Sequence, residues 1–469
     1  MPFDLENTLN DTSLNNSETL KFLSSVQANI LKGHGRRHVA LIFLNITDVQ
    51  LAREFLRQYE VSSSATQFLE TERLKSEGIP GGPVHLLFIS HGGLVKLGKD
   101  VDFKKAAVAV DPFFEMGMTE DSEVLDLQST HSWQASLSET ADVLLLVAYH
   151  DIDALSAMIF KKLETLKGEA RGLKILHIQE GRGYTNKNGE GIEHFGYVDG
   201  RSQPLMLDTE NKADGLHPKT YDPSTHLSQF LFDDPLAPGE GLASYFVFRK
   251  LEQDVASFKA AENALQLILN PPPSNKELAG AMVVGRFENG IPVVLDPPLP
   301  LESPVLNDFD FATDLTGARC PFQSHIRKTN PRGSGPGSPK FDKDVQMARR
   351  GITYGTRLQD PETAEFIDMP NDGVGLLFMS YQSSIENQFH FMQVSWANNR
   401  QFPNIKPGED VVGIDPIIGQ PLFGDIPMLR PDHKWPSTPP YIASDFHGHV
   451  HLKGGGYFYT PSPQALKNI

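Results

Sequence analysis

A chain of 469 residues with 39% hydrophobic side chains exceeds the usual length of one domain and carries enough apolar material for two cores. Its 42 basic residues against 59 acidic ones leave a formal charge of −17, which repels nucleic acid and anionic membrane surfaces. The single cysteine, Cys320, excludes an intramolecular disulfide framework and a cysteine-based zinc cluster, and fits a reducing compartment.

Residues 1–25 are polar and acidic, with no basic segment followed by an apolar one and no twin-arginine pair. No apolar run approaches the roughly 20 residues that span a bilayer. A soluble, cytoplasmic protein is therefore expected. The first strand is predicted over His38–Ile46, HVALIFLNI, rich in β-branched and apolar residues. A helix follows over Asp48–Tyr59, with Leu51, Phe55 and Leu56 on one face. Further strands are expected at Val84–Ser90, Asp142–Tyr149 and Leu173–Gln179, with a helix over Asp151–Leu166 opened by capping aspartates. This order is compatible with a split β-α-β, ferredoxin-like domain.

A loop rich in Pro, Asp and Gly, roughly residues 209–241, precedes a second copy of the pattern. It begins with a strand over Ala243–Arg249 and a helix over Leu251–Leu265. It resumes with a strand over Gly375–Tyr381, a helix over Ser383–Trp396 and a late strand over Gly456–Thr460. Two domains are thus expected, residues 1–215 and 216–469. Between these units, Asn330–Lys343 has too much Gly and Pro for regular structure.

Three motifs contain residue types that can carry chemistry. In HFGYVDGRSQP (His194–Pro204), Gly196 and Gly200 bracket Asp199, and glycine lets the backbone bend so that a carboxylate projects into a cavity. By itself the Asp-Gly step is an ordinary turn. In CPFQSHIRKTNPRG (Cys320–Gly333), His325 stands among Arg327, Lys328 and Arg332. Such cations suit the carboxylates of a bound cofactor and equally suit a solvated basic turn. ARRGITYG (Ala348–Gly355) pairs Arg349 with Arg350.

Taken together, the order and approximate spacing of Gly196-x-x-Asp199-Gly200, His325-Ile-Arg-Lys-x-Asn-Pro-Arg332 and Arg349-Arg-Gly-x-x-Tyr-Gly355 resemble the dye-decolourising peroxidases. The likeness extends through Gln27–Gly33, Leu376–Gln382 with Ile385–Phe389, and Lys453–Phe458. It covers nearly the whole chain and points to the longer members of the family.

The resemblance implies an α+β fold of two ferredoxin-like domains with antiparallel sheets, and one haem b with its iron held mainly by the C-terminal domain. It implies His325 as the iron ligand, Asp199 as the acid-base residue and Arg349 as the cation acting on hydrogen peroxide, with Arg350 as the fallback. A ferryl intermediate would then oxidise dyes or other aromatic donors. Histidine ligation leaves one haem face open, and peroxide needs a group that takes a proton from one oxygen and returns it to the other. A carboxylate does this best on the acidic side of neutrality unless burial strengthens it as a base, and an arginine stabilises the negative charge that develops.

An iron-bound histidine usually gives its other ring proton to a carboxylate. Glu386, at the start of the predicted Ser383–Trp396 helix, is the candidate from the family pattern, although an acid there also favours a helix N-terminus. Phe378, Phe389 and Phe391 are candidates for the haem wall, and Arg332 for a propionate partner. His447, His449 and His451 alternate and would share one face of a strand, but nothing nearby completes a metal site. Trp133, Trp396, Trp435 and Tyr354 are candidates for carrying electrons from bulky donors. The rival reading is a haem-handling protein of the same fold. No G-x-S-x-G elbow supports a hydrolase. The oligomeric state and the physiological donor are not legible.

Overall fold

Every residue of strand β1 (His38–Ile46) except Asn45 is buried, because the strand is paired on both edges and covered on both faces. Ile42, Leu44 and Ile46 enter a core shared with Ala52 and Leu56 of helix α1 (Val49–Gln58), while Val39, Leu41 and Phe43 enter a second core on the opposite face. Burial on both faces is why the segment reads as a continuous apolar run rather than an alternation. The computed structural model describes residues 4–10, 14–105, 110–125, 133–166, 172–213, 220–269, 277–295, 307–315, 317, 319–403, 412–420, 446 and 448–469.

The first half continues with helix α2 (Ser64–Glu77), strands β2 (Val84–Ile89) and β3 (Val143–Tyr149), helix α3 (Ile152–Leu166) and strand β4 (Leu173–Arg182). The second half contains β5 (Leu242–Gln253), helix α4 (Val255–Ile268), β6 (Ile352–Tyr354), β7 (Gly375–Gln382) and β8 (Val450–Thr460). Strand order is β6-β7-β5-β8 followed by β2-β3-β1-β4, with each neighbouring pair antiparallel. Each half therefore places its second, third, first and fourth strands of this set in the same order, the ferredoxin-like arrangement expected.

The halves meet edge to edge at Tyr459 and Ile89, and the sheet curls until Thr353 Oγ1 donates to the Arg182 carbonyl between β6 and β4. The core on the inner face draws Leu41, Leu86 and Leu144 from the first half and Phe246, Phe248, Leu377 and Tyr381 from the second. Two ferredoxin-like units thus share one interior. The expected boundary at residues 215 and 216 lies outside the described residues.

Several expected limits shift for local reasons. Leu251 remains in β5, paired with Leu376 on one side and Leu452 on the other. Helix α4 begins only after Asp254, whose carboxylate accepts the Ser257 amide at 3.0 Å. The helix expected over Ser383–Trp396 is two π-helical runs, Ile385–His390 and Met392–Ala397. The last strand begins at Val450 and carries a bulge between Leu452 and Gly454. Helix α2, with little apolar periodicity, had no sequence signal. Among the described residues no helix is long and apolar enough to cross a membrane.

Candidate active site

His194–Pro204 folds back on itself: the Asp199 amide donates to the Gly191 carbonyl at 2.9 Å, and Ile192 pairs with Val198. Gly196 and Gly200 take φ of +100° and +79°, the region in which glycine carries no steric penalty. The Asp-Gly step is also a turn, since Asp199 Oδ1 accepts the Gly200 amide at 2.6 Å. Beyond it, Arg349 lies on a two-residue strand against Ser380 of β7. Gln203 Oε1 accepts the Arg349 amide at 3.1 Å and the Arg201 carbonyl accepts its Nη2 at 2.6 Å, holding Nη1 3.7 Å from Asp199 Oδ1. Two segments distant in sequence are thereby joined as an acid–guanidinium pair.

Arg350 turns the other way. Its Nε and Nη2 each donate at 2.8 Å to the carbonyls of Asn29 and Ile30. It ties down the Gln27–Gly33 segment and is absent from the cavity lining.

Asp199 and Arg349 line a cavity of about 220 Å³, together with His325, Arg332, Phe378 and Phe389. The lining comes from residues 193–202 and otherwise from residue 249 onward. His325 opens a short helix, α5 (His325–Thr329). Two of the cations around it, Arg327 and Lys328, are structural. Arg327 is fully buried, forms an ion pair with Asp314 at 2.9 Å and lies between the rings of Phe311 and Phe322. Lys328 donates to the carbonyls of Trp396 and Asn399, and burial lowers its pKa to about 7. Buried cations of this kind fix the loop through their acceptors. Cys320, also buried, has its thiol pushed up to about 11 by burial.

His325 Nδ1 stands 2.9 Å from Asp415 Oδ2. The carboxylate on this histidine is Asp415, not Glu386. Asp415 is 1% exposed, and its other oxygen accepts the amides of Ile417 and Ile418 at 2.8 and 2.9 Å. Glu386 is exposed and lies in the first turn of its π-helix, its amide donating to Asp111 Oδ2 at 3.0 Å. The wider winding of i→i+5 hydrogen bonds carries it off the face that holds Phe389. Asp415 escaped notice because it sits in a loop 90 residues from its partner, with no periodicity to mark it.

Phe391 is likewise a correction. It packs on Phe341 and Trp396, with ring centroids at 5.4 and 5.8 Å, and does not line the cavity. Residues two apart on a helix do not face the same way, so Phe389 and Phe391 cannot both form one wall. Arg332 has φ +45° and donates to the carbonyls of Asn307 and Phe309 and to Ser202 Oγ. Sequence reasoning also missed Arg286. This buried guanidinium donates to the Gly290 carbonyl, Ser202 Oγ and Asn307 Oδ1, all neutral. Burial first, and then the nearby Arg332, Arg201 and Arg349, hold it well below the usual arginine range.

Glu193 is a further unforeseen member of the lining. Burial raises its pKa to about 7, against the lowering effect of hydrogen bonds from the Phe195 amide, Gln253 and the Tyr197 amide; the negative charge of Asp199 adds to the rise.

This donor set fits a haem. A histidine backed by a carboxylate suits iron, Phe378, Phe389 and Met392 give an apolar wall, and the buried guanidinium groups of Arg286 and Arg332 bring positive charge that suits propionates. Of the other candidates, Trp396 is buried and stacked on Phe402 with centroids 5.0 Å apart, Tyr354 is buried, and Trp133 is partly exposed. Trp435 and His447 lie outside the described residues. His449 precedes β8 and its Nδ1 lies 2.7 Å from Ser257 Oγ, whereas His451 lies within the strand. The described pair does not sit on one regular strand.

No protein-family model matches the chain. It is 38% identical over 490 residues to the multifunctional dye peroxidase DyP2 of Amycolatopsis, spanning 100% of both proteins. It is 30% identical over 482 residues to the dye-decolorizing peroxidase msp1 of Mycetinis scorodonius, covering 95% of this chain and 87% of that protein. The solved Amycolatopsis DyP2 structure superposes with a TM-score of 0.88 at 36% identity, over the full length of both chains. The Anabaena DyP-type peroxidase gives 0.86 at 31% identity, covering 99% and 98%. These full-length relatives do not favour the haem-handling alternative. The chain belongs to the dye-decolourising peroxidases, enzymes that use peroxide as their oxidant.

Proposed function

We propose that this chain binds one haem b through His325 and uses it to reduce hydrogen peroxide at the expense of an aromatic donor. The observation that carries the reading is that a carboxylate-backed histidine and an acid–guanidinium pair line the same cavity. A peroxidase of the family has been solved in complex with 2,6-dimethoxyphenol, which supports an aromatic donor here.

When bound, haem supplies an iron centre that passes electrons from donor to peroxide. His325 Nδ1, committed to Asp415, leaves Nε2 to bind the metal, and the Asp415 charge increases electron donation through the ring. Arg332 and Arg286 would supply positive charge for the propionates, and Phe378 and Phe389 would wall the ring. Asp199 would take the proton from one peroxide oxygen and return it to the other as the O–O bond breaks. Arg349 stabilises the negative charge that gathers on the departing oxygen and keeps the Asp199 carboxylate positioned. The domain division falls near residues 215 and 216, within the connection between β4 and β5. A cytoplasmic location accords with the lone, buried Cys320.

The test is the absorption spectrum of haem-loaded protein before and after one equivalent of peroxide, for wild type, His325→Ala and Asp199→Asn. Wild type changes spectrum rapidly, the first variant loses or alters its haem band, and the second responds slowly. Haem binding with no response to peroxide at any pH overturns the reading.

A further inference from the structure

Away from the haem cavity, a short loop and the π-helix of Phe389 bring three metal-ligating side chains together. Asp121, Glu123 and His390 each offer one ligand atom, all within 4.8 Å of one another. Asp121 and His390 are 2% and 8% exposed, whereas Glu123 opens to solvent. His390 Nε2 lies 3.5 Å from Asp121 Oδ1 and 3.4 Å from Glu123 Oε2. It is nonetheless a buried ring nitrogen with no hydrogen-bond partner. A ring N–H has one direction, and here it meets neither carboxylate at hydrogen-bonding geometry. Two negative groups therefore converge on an unsatisfied nitrogen, and among the described residues no lysine or arginine pairs with either.

The separations match the edges of a coordination polyhedron. Tetrahedral ligands at about 2.1 Å from zinc stand about 3.4 Å apart, longer than a good hydrogen bond and close to the two distances observed. The supporting structure is built as well. Tyr457 donates to the second Asp121 oxygen at 2.8 Å, orienting that carboxylate as an outer partner does for a metal ligand. Phe113 stacks on the His390 ring at 3.7 Å, fixing its plane. Gln420 Nε2 donates to the Val124 carbonyl at 2.6 Å and pins the loop.

We propose that Asp121, Glu123 and His390 bind one divalent transition-metal cation of the zinc class, with solvent completing the coordination on the Glu123 side. One imidazole with two carboxylates is a borderline set that suits zinc better than the all-oxygen preference of magnesium or calcium. The site would clasp residues 121–124 to the π-helix whose Phe389 walls the haem cavity, which gives it a structural role rather than one in the peroxide chemistry.

The test is calorimetric titration of zinc into haem-loaded, tag-free protein cleared of metal by a chelator. The expected result is one zinc per chain, weakened at least about 10-fold by Glu123→Gln and by His390→Gln. Glu123 is exposed, so its variant folds even if the His390 variant does not. Absence of stoichiometric zinc binding in wild type, or wild-type affinity in either folded variant, overturns the proposal.

Discussion

The Asp415 carboxylate lies 2.9 Å from His325 Nδ1 while its second oxygen is held by two backbone amides, so the His325 ring has a fixed orientation and a carboxylate partner. Replacing Asp415 by Asn preserves shape and removes charge. The variant is expected to keep haem, to show a higher reduction potential and to lose about 10- to 100-fold in peroxide turnover. Spectroelectrochemical titration checks this. An unchanged potential would restrict Asp415 to a packing role, and Glu386→Gln should leave the potential where it is.

The Asp199–Arg349 pair separates two roles. Asp199→Asn removes the proton carrier and should lower kcat/KM for peroxide by about 10²- to 10⁴-fold. Arg349→Leu removes charge stabilisation and should cost about 10²- to 10³-fold. Stopped-flow measurement of the peroxide step reads both, and near-wild-type rates in either would remove that residue from the mechanism.

Arg350 makes the opposite prediction. Its guanidinium satisfies the Asn29 and Ile30 carbonyls, and charge-assisted hydrogen bonds contribute about 1.5–3 kcal/mol each. Arg350→Met should lower unfolding stability by about 3–6 kcal/mol while activity per bound haem is retained. Denaturant unfolding alongside activity separates this residue from Arg349.

Glu193 supplies a pH dependence of stability. Its folded pKa is raised to about 7 from the ordinary 4.5. The folded chain therefore keeps a proton that the unfolded chain releases between those values. The contribution is complete below about pH 4.5 and is lost as pH rises through about 7. Thermal unfolding of the haem-free protein at about pH 5 and about pH 8 should show a smaller decline in Glu193→Gln than in wild type. Equal declines would mean that Glu193 does not titrate in this window.

Local sequence carried the strands, because β1 contains an uninterrupted apolar run from Val39 to Leu44 that can be satisfied only by burial on both faces. It also carried the three motifs, since glycine at Gly196 and Gly200 and the adjacent Arg349 and Arg350 are fixed by short-range geometry and spacing. The sequence alone therefore determined the family, the two-unit architecture and the identity of His325, Asp199 and Arg349 as candidates. What tertiary structure decided was direction and company. Arg349 turns into the cavity and Arg350 away from it. Phe389 forms a wall where Phe391 does not, and the partner of His325 arrives from a loop 90 residues away. Glu193 and Arg286 become titration-shifted only through what packs around them. Hydrogen bonding, burial and charge act through space, and a linear pattern records spacing along the chain but not which distant groups converge.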